Sequence, residues 1–223
     1  MRRRLALIVL VCLTVPAVAL AAGDPKERFT SADQAKARSV VLKRSDFVAG
    51  WKRSPATPES NLTCPGFDPD GSDLTISGKA EANFEHTQGQ PMIGSFAEVY
   101  ASPGDALKSW SRTMKPALVG CVAHFFSEGV AEAGGKVKIV KQGRMAFPKV
   151  SPRTAAFRIT GNVTFTTPGK PATIVPFTIH LVALGHGRGD AGLLAVGFGK
   201  GVSTSDLRAF AGLIASRLAA AKL

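Results

Sequence analysis

Between Ala133 and Gly189 the chain contains neither aspartate nor glutamate. The same stretch carries nine bases: Lys136, Lys138, Lys141, Arg144, Lys149, Arg153, Arg158, Lys170 and Arg188. Neutralisation from within the block is therefore excluded. Beyond Arg4 the rest of the chain is balanced, with 16 bases against 16 acids. Cysteine is scarce: Cys12, Cys64 and Cys121 are the whole supply. Long apolar runs are absent after the first. Past Leu5–Ala22 nothing reaches the roughly 20 residues that a spanning helix needs, which predicts a soluble mature chain. Catalytic signatures are missing too, with no G-x-S-x-G elbow, H-E-x-x-H helix or Walker loop.

What is present begins at the N-terminus. Arg2-Arg3-Arg4 precede an apolar run from Leu5 to Val15, followed by Pro16 and the small-residue site Ala19-Leu20-Ala21. A charged segment, a short apolar segment and an A-x-A site read as an export signal spanning 1–21. Its removal leaves residues 22–223 as one secreted domain with 25 bases against 16 acids, a net charge of +9. Removal also discards Cys12 and leaves Cys64 and Cys121 as a pair. In an oxidising compartment such a pair is expected to be a disulfide, the alternatives being a buried or a reactive free thiol. Closing a loop of that length stabilises by about 4 kcal/mol in the chain-entropy account.

The hydrophobic pattern predicts an α+β domain in the order α-β-β-α-β-β-β-β-α. Ser31 and Gln34 have the spacing of a capping box opening a helix to about Lys43, with Ala32, Ala35, Val40 and Val41 inward. Trp51 is expected to be buried after a turn, and 54–72 to be an irregular loop holding Cys64. Asp73 to Glu85 alternates strictly, as a half-buried strand does, and Met92 to Tyr100 is its hairpin partner. Ser102-Pro103-Gly104-Asp105 opens a long helix with Leu107, Trp110, Met114, Leu118 and Cys121 on one stripe. Pro116 is expected to kink or split it. Four strands follow, Lys136–Phe147, Thr154–Thr167, Ala172–Leu184 and Leu193–Phe198, then a helix from Ser203 with Leu207, Phe210, Ala211, Ile214 and Leu218 inward. Short turns between consecutive strands imply a mostly antiparallel sheet packed with three helices as a sandwich.

Several motifs invite chemistry and fall short of it. Gly187-x-Gly189-x-x-Gly192 spells a dinucleotide fingerprint, but it leads into a strand and offers no helix terminus for pyrophosphate. Arg188-Gly189-Asp190, an adhesion tripeptide by spelling, lies on the same hairpin tip. Asp68, Asp70 and Asp73 resemble a calcium loop, yet the twelfth position is Lys79 where glutamate is required. His86, His124, His180 and His186 are scattered, and no third ligand completes a metal set. Neither a cofactor, a metal nor a catalytic constellation is read from the sequence.

Ser45-Asp46-Phe47 and Gly50-Trp51 after an N-terminal helix, Cys64 in the loop, and Val99-Tyr100-Ala101-Ser102 entering a helix with Ala106, Trp110 and Cys121 make a familiar order. It resembles the extracellular sensor domain of PknH-type bacterial kinases and the related LpqN-type exported proteins, over most of 30–223. The resemblance implies an α/β sandwich and a role in envelope sensing or ligand binding without established catalysis. The chain departs from it in having a single cysteine pair and no kinase segment.

The expectation is thus a non-enzymatic, exported binding or sensor-like protein of the bacterial cell envelope. Lys136, Lys138, Lys141, Arg144 and Arg158 are its candidate contacts to an anionic envelope polymer, a lipid or a small ligand, ahead of nucleic acid. Two alternatives are an exported hydrolase built around His180 and Arg158, and a structural envelope protein acting through protein partners.

Overall fold

The computed structural model describes residues 23–55, 63–166, 169, 171–199 and 201–223. The segment 1–21 read as an export signal, Lys170 and most of the turn around it lie outside the described residues. Two short strands, β1 (Lys26–Glu27) and β2 (Trp51–Ser54), flank helix α1 (Ser31–Val40). The hairpin β3 (Thr75–His86) and β4 (Met92–Tyr100) leads to α2 (Pro103–Thr113) and α3 (Ala117–Glu132). Then come β5 (Gly135–Arg144), β6 (Arg153–Phe165), β7 (Thr173–His186), β8 (Gly189–Phe198) and α4 (Thr204–Ala220). The sheet runs β1-β3-β4-β8-β7-β6-β5, with β2 on the far part of β3. All pairings are antiparallel except β1 with β3. The α+β sandwich expected from the sequence is the fold observed.

Two helices cover each face. On the front, α1 and α4 close over Phe84, Ile93, Val99, Val182 and Leu193, with Ala37, Val40, Leu207, Ile214 and Leu218 as their own contribution. On the back, α3 lies over Phe157, Ile159, Val163, Phe177 and Ile179, joined by Trp110 and Met114 from α2. Removing these side chains from water is the main stabilising term, at about 25 cal/mol for each Å² of apolar surface.

Among the described residues four helices stand where three were expected, because Pro116 splits the long one. Proline has no N–H to continue the ladder and its ring collides with the preceding turn. The Met114 N–H closes α2 on the Trp110 carbonyl, and Pro116 becomes the residue that starts α3. The break also resets the helical phase, so Ala106 is buried while Leu107 faces solvent.

The capping box is replaced by a neighbouring arrangement. Thr30 caps α1, its Oγ1 accepting from the Asp33 N–H at 3.1 Å. Gln34 instead accepts from the Lys79 N–H at 2.9 Å, satisfying the edge of β3. With the phase moved, Asp33, Ala37 and Val40 turn inward and Ala32 and Ala35 stay exposed. Trp51 is only half-buried, lying on β2 against Phe47 and edge-on to His86.

Strand β3 also departs from unbroken alternation. Ile76 pairs with Tyr100 and Gly78 with Val99, so Ser77 is an extra residue that shifts the pleat. Leu74 and Ile76 accordingly pack on the back with Tyr100 and Ala106, whereas Ala82 and Phe84 pack on the front.

Candidate anion-binding face

Strand β5 follows α3 through Gly134, whose φ of +77° lets the chain reverse without the strain a side chain would add. Among the described residues it forms the outer edge of the sheet, paired only with β6. On the front, Lys136 stands opposite Thr164, Lys138 opposite Asn162, and Lys141 opposite Thr160. Their neighbours across β7 are Ile174, Pro176 and Thr178. Helices α1 and α4 pack on β3, β4, β7 and β8, leaving this corner of the front face uncovered. Lys136, Lys138, Lys141 and Arg158 are exposed, with half-buried threonines and Asn162 between them.

The alignment of these lysines depends on a second bulge. In an unbroken strand Lys136, Lys138 and Arg144 share one face and Lys141 takes the other. The pairing shifts between Ile139 and Lys141, which makes Val140 the extra residue. Lys141 is thereby brought to the front and Arg144 sent to the back. There the Arg144 guanidinium lies 5.3 Å from the centre of the Phe157 ring and donates to the Met114 carbonyl at 3.1 Å. Of the five candidate contacts the structure brings four together and separates Arg144.

Among the described residues no carboxylate pairs with Lys136, Lys138, Lys141 or Arg158. Other charges are tied up internally. Arg217 of α4 makes two bonds of 2.7 Å to the Asp46 carboxylate. Arg188, at the β7–β8 tip, pairs with Asp33 of α1, and Asp190 with Arg153. Both charges of the adhesion-like tripeptide are therefore engaged within the fold. The Arg188–Asp33 and Arg217–Asp46 pairs fasten α1 and α4 over one part of the front face, whereas Arg153 of the third pair lies over the Trp110 ring on the back.

Arg158 and His180 stand directly opposite each other on β6 and β7. Arg158 is exposed, but His180 is only 6% accessible and its Nδ1 is buried with no hydrogen-bond partner. Burial first, and the Arg158 charge second, lower the imidazole's proton affinity, so it is neutral at pH 7.

The remaining sequence candidates disperse. Asp73 is held by Lys108 and Arg112 of α2, which keep its carboxyl far below the usual range, while Asp70 caps its own turn through the Ser72 N–H. No group of three metal-capable side chains occurs among the described residues. Cys64 and Cys121 are joined on the back face, with Cα atoms 5.7 Å apart and Phe67 of the same loop buried beside them. No helix among the described residues is long and apolar enough to cross a membrane. No family model, curated protein or solved structure matches this chain.

Sequence reasoning reached the lysines from their charge alone. It missed the short polar side chains of β6 and β7 that complete the face, because alternation assigns threonines to a solvated side without saying what adjoins them.

Proposed function

We propose that this is an exported, non-enzymatic binding or sensor-like protein of the bacterial cell envelope, and that the open front corner of its sheet receives an anionic component. Export rests on the segment from Arg2 to Ala21, and the joined cysteine pair is in keeping with an oxidising destination. The resemblance to PknH-type sensor domains supports the sensor-like part of the reading. One observation carries the binding part: Lys136, Lys138, Lys141 and Arg158 share a helix-free face on which no acid stands. Four cations within reach of one surface attract polyanions, and the attraction weakens with salt as the screening length shortens.

Retention on immobilised polyphosphate tests this. The parent protein is expected to elute at higher salt than Lys136→Glu/Lys138→Glu/Lys141→Glu, with both showing the same thermal transition. Identical elution would remove the assignment.

A second reading has its own support. An edge strand exposes unpaired backbone groups, and lysines together with a bulge are common protection against pairing with another sheet. Strand β5 has both. If protection is their main role, Lys136→Thr/Lys138→Thr/Lys141→Thr will self-associate in sedimentation while polyphosphate retention is low in both proteins.

A further inference from the structure

The open face is not uniformly polar. Ile174 is 64% exposed, and it occupies the same cross-strand row as Lys136 and Thr164. Pro176, also exposed, occupies the row of Lys138 and Asn162. Alternation puts Ile174 on the front with Thr178 and His180, since Val182 and Leu184 of the same strand lie in the front core. An apolar side chain thus projects from the surface that carries the unpaired lysines.

We propose that this corner docks on the surface of an anionic lipid bilayer, with the lysines at the headgroup phosphates and Ile174 entering the interface. The inference rests on the anion-binding reading and narrows it to one source of negative charge. Four features favour a bilayer over a soluble polyanion. A fully hydrated polymer offers nothing to an isoleucine, whereas the headgroup–acyl boundary does. Directly across from the lysines on β6 stand short side chains, Thr160, Asn162 and Thr164, so the charges project from a sheet face and meet a broad plane. Lysine stems also lie along apolar surface while their ammonium groups reach phosphate. Neighbouring lysines two residues apart on a strand are about 7 Å from each other, comparable to the spacing of lipid headgroups.

Each basic residue near an anionic leaflet raises partitioning about fivefold. Lys136→Gln/Lys138→Gln/Lys141→Gln is therefore expected to lower binding to mixed phosphatidylglycerol–phosphatidylcholine vesicles by about 100-fold. Ile174→Ser is expected to lower it severalfold. Sedimentation with vesicles, using parent and variants in the same full chain, makes any contribution of the N-terminal residues common to all. Pure phosphatidylcholine vesicles and soluble polyphosphate are the two reference arms. The proposal requires that Ile174→Ser weaken binding to the anionic vesicles and leave polyphosphate affinity unchanged. Lysine-dependent polyphosphate binding without a difference between parent and variants on vesicles would overturn the membrane assignment and leave the anion-binding reading intact. Loss of lysine dependence in both arms would overturn both. Because Ile174 is exposed, its replacement leaves the fold in place, and an unchanged thermal transition verifies that.

Discussion

Arg188 donates to both carboxylate oxygens of Asp33, at 2.9 and 2.5 Å, across 155 residues of sequence. The same guanidinium reaches the Tyr100 carbonyl and the Ser77 hydroxyl, so one side chain joins α1, β3, β4 and the β7–β8 tip. Its hydrogen bonds hold the Asp33 carboxyl down at about 2. A depressed acid contributes stability that is complete above its unfolded value near 3.8 and is lost as pH falls through the folded value. The expected outcome is that the parent loses about 2 kcal/mol more stability between pH 4 and 2 in denaturant titrations than Asp33→Asn does, the other depressed acids, Asp46, Asp70 and Asp73, contributing equally to both.

Asp190 behaves in the opposite sense. Burial is the main cause of its rise to about 6, against the pull of Arg153, with Glu98 across the strand adding to it. A raised acid contributes stability that is present below the unfolded value and lost as pH rises through the folded one. Stability is expected to decline between about pH 4 and 6, and Asp190→Asn to flatten that slope in the same titration.

The cystine ties the loop holding Phe67 to α3, closing a separation of 57 residues. Reduction, or Cys64→Ser/Cys121→Ser, is expected to cost about 2–4 kcal/mol and to lower the thermal midpoint by about 10 °C in calorimetry. Peptide mapping without reductant checks the linkage itself.

At Gly78 an added methyl would collide with the Asp33 carbonyl and press on the Gln34 amide at 2.9 Å. Both are backbone atoms at the start of α1, so the helix itself would have to move. Gly78→Ala is expected to destabilise by about 1–3 kcal/mol, measured by chemical denaturation.

Much of the architecture was legible where one signal dominated. Alternation along β6 located its core side, with Phe157, Ile159 and Val163 all on the back face. Ser102 caps α2 as read, and Ser203, read as the start of the last helix, caps α4, each accepting from the N–H three residues on. What stayed hidden depends on partners distant in sequence. Asp33 is polar by type and buried by Arg188. Strand β1 has only two residues, too few to show a period, and exists because β3 offers it an edge. Bulges were likewise invisible, since an extra residue is defined by the strand opposite it. That is why Arg144 was grouped with lysines it does not accompany.

The irregularity at Val140 makes electrostatics sensitive to strand register as well as to composition. Straightening β5 so that Val140 takes a place in the regular ladder would alter neither the formal charge nor the isoelectric point. It would nevertheless exchange Lys141 for Arg144 on the front, or force the strand to slide. Two chains with identical titration curves would then present different fields to the same partner.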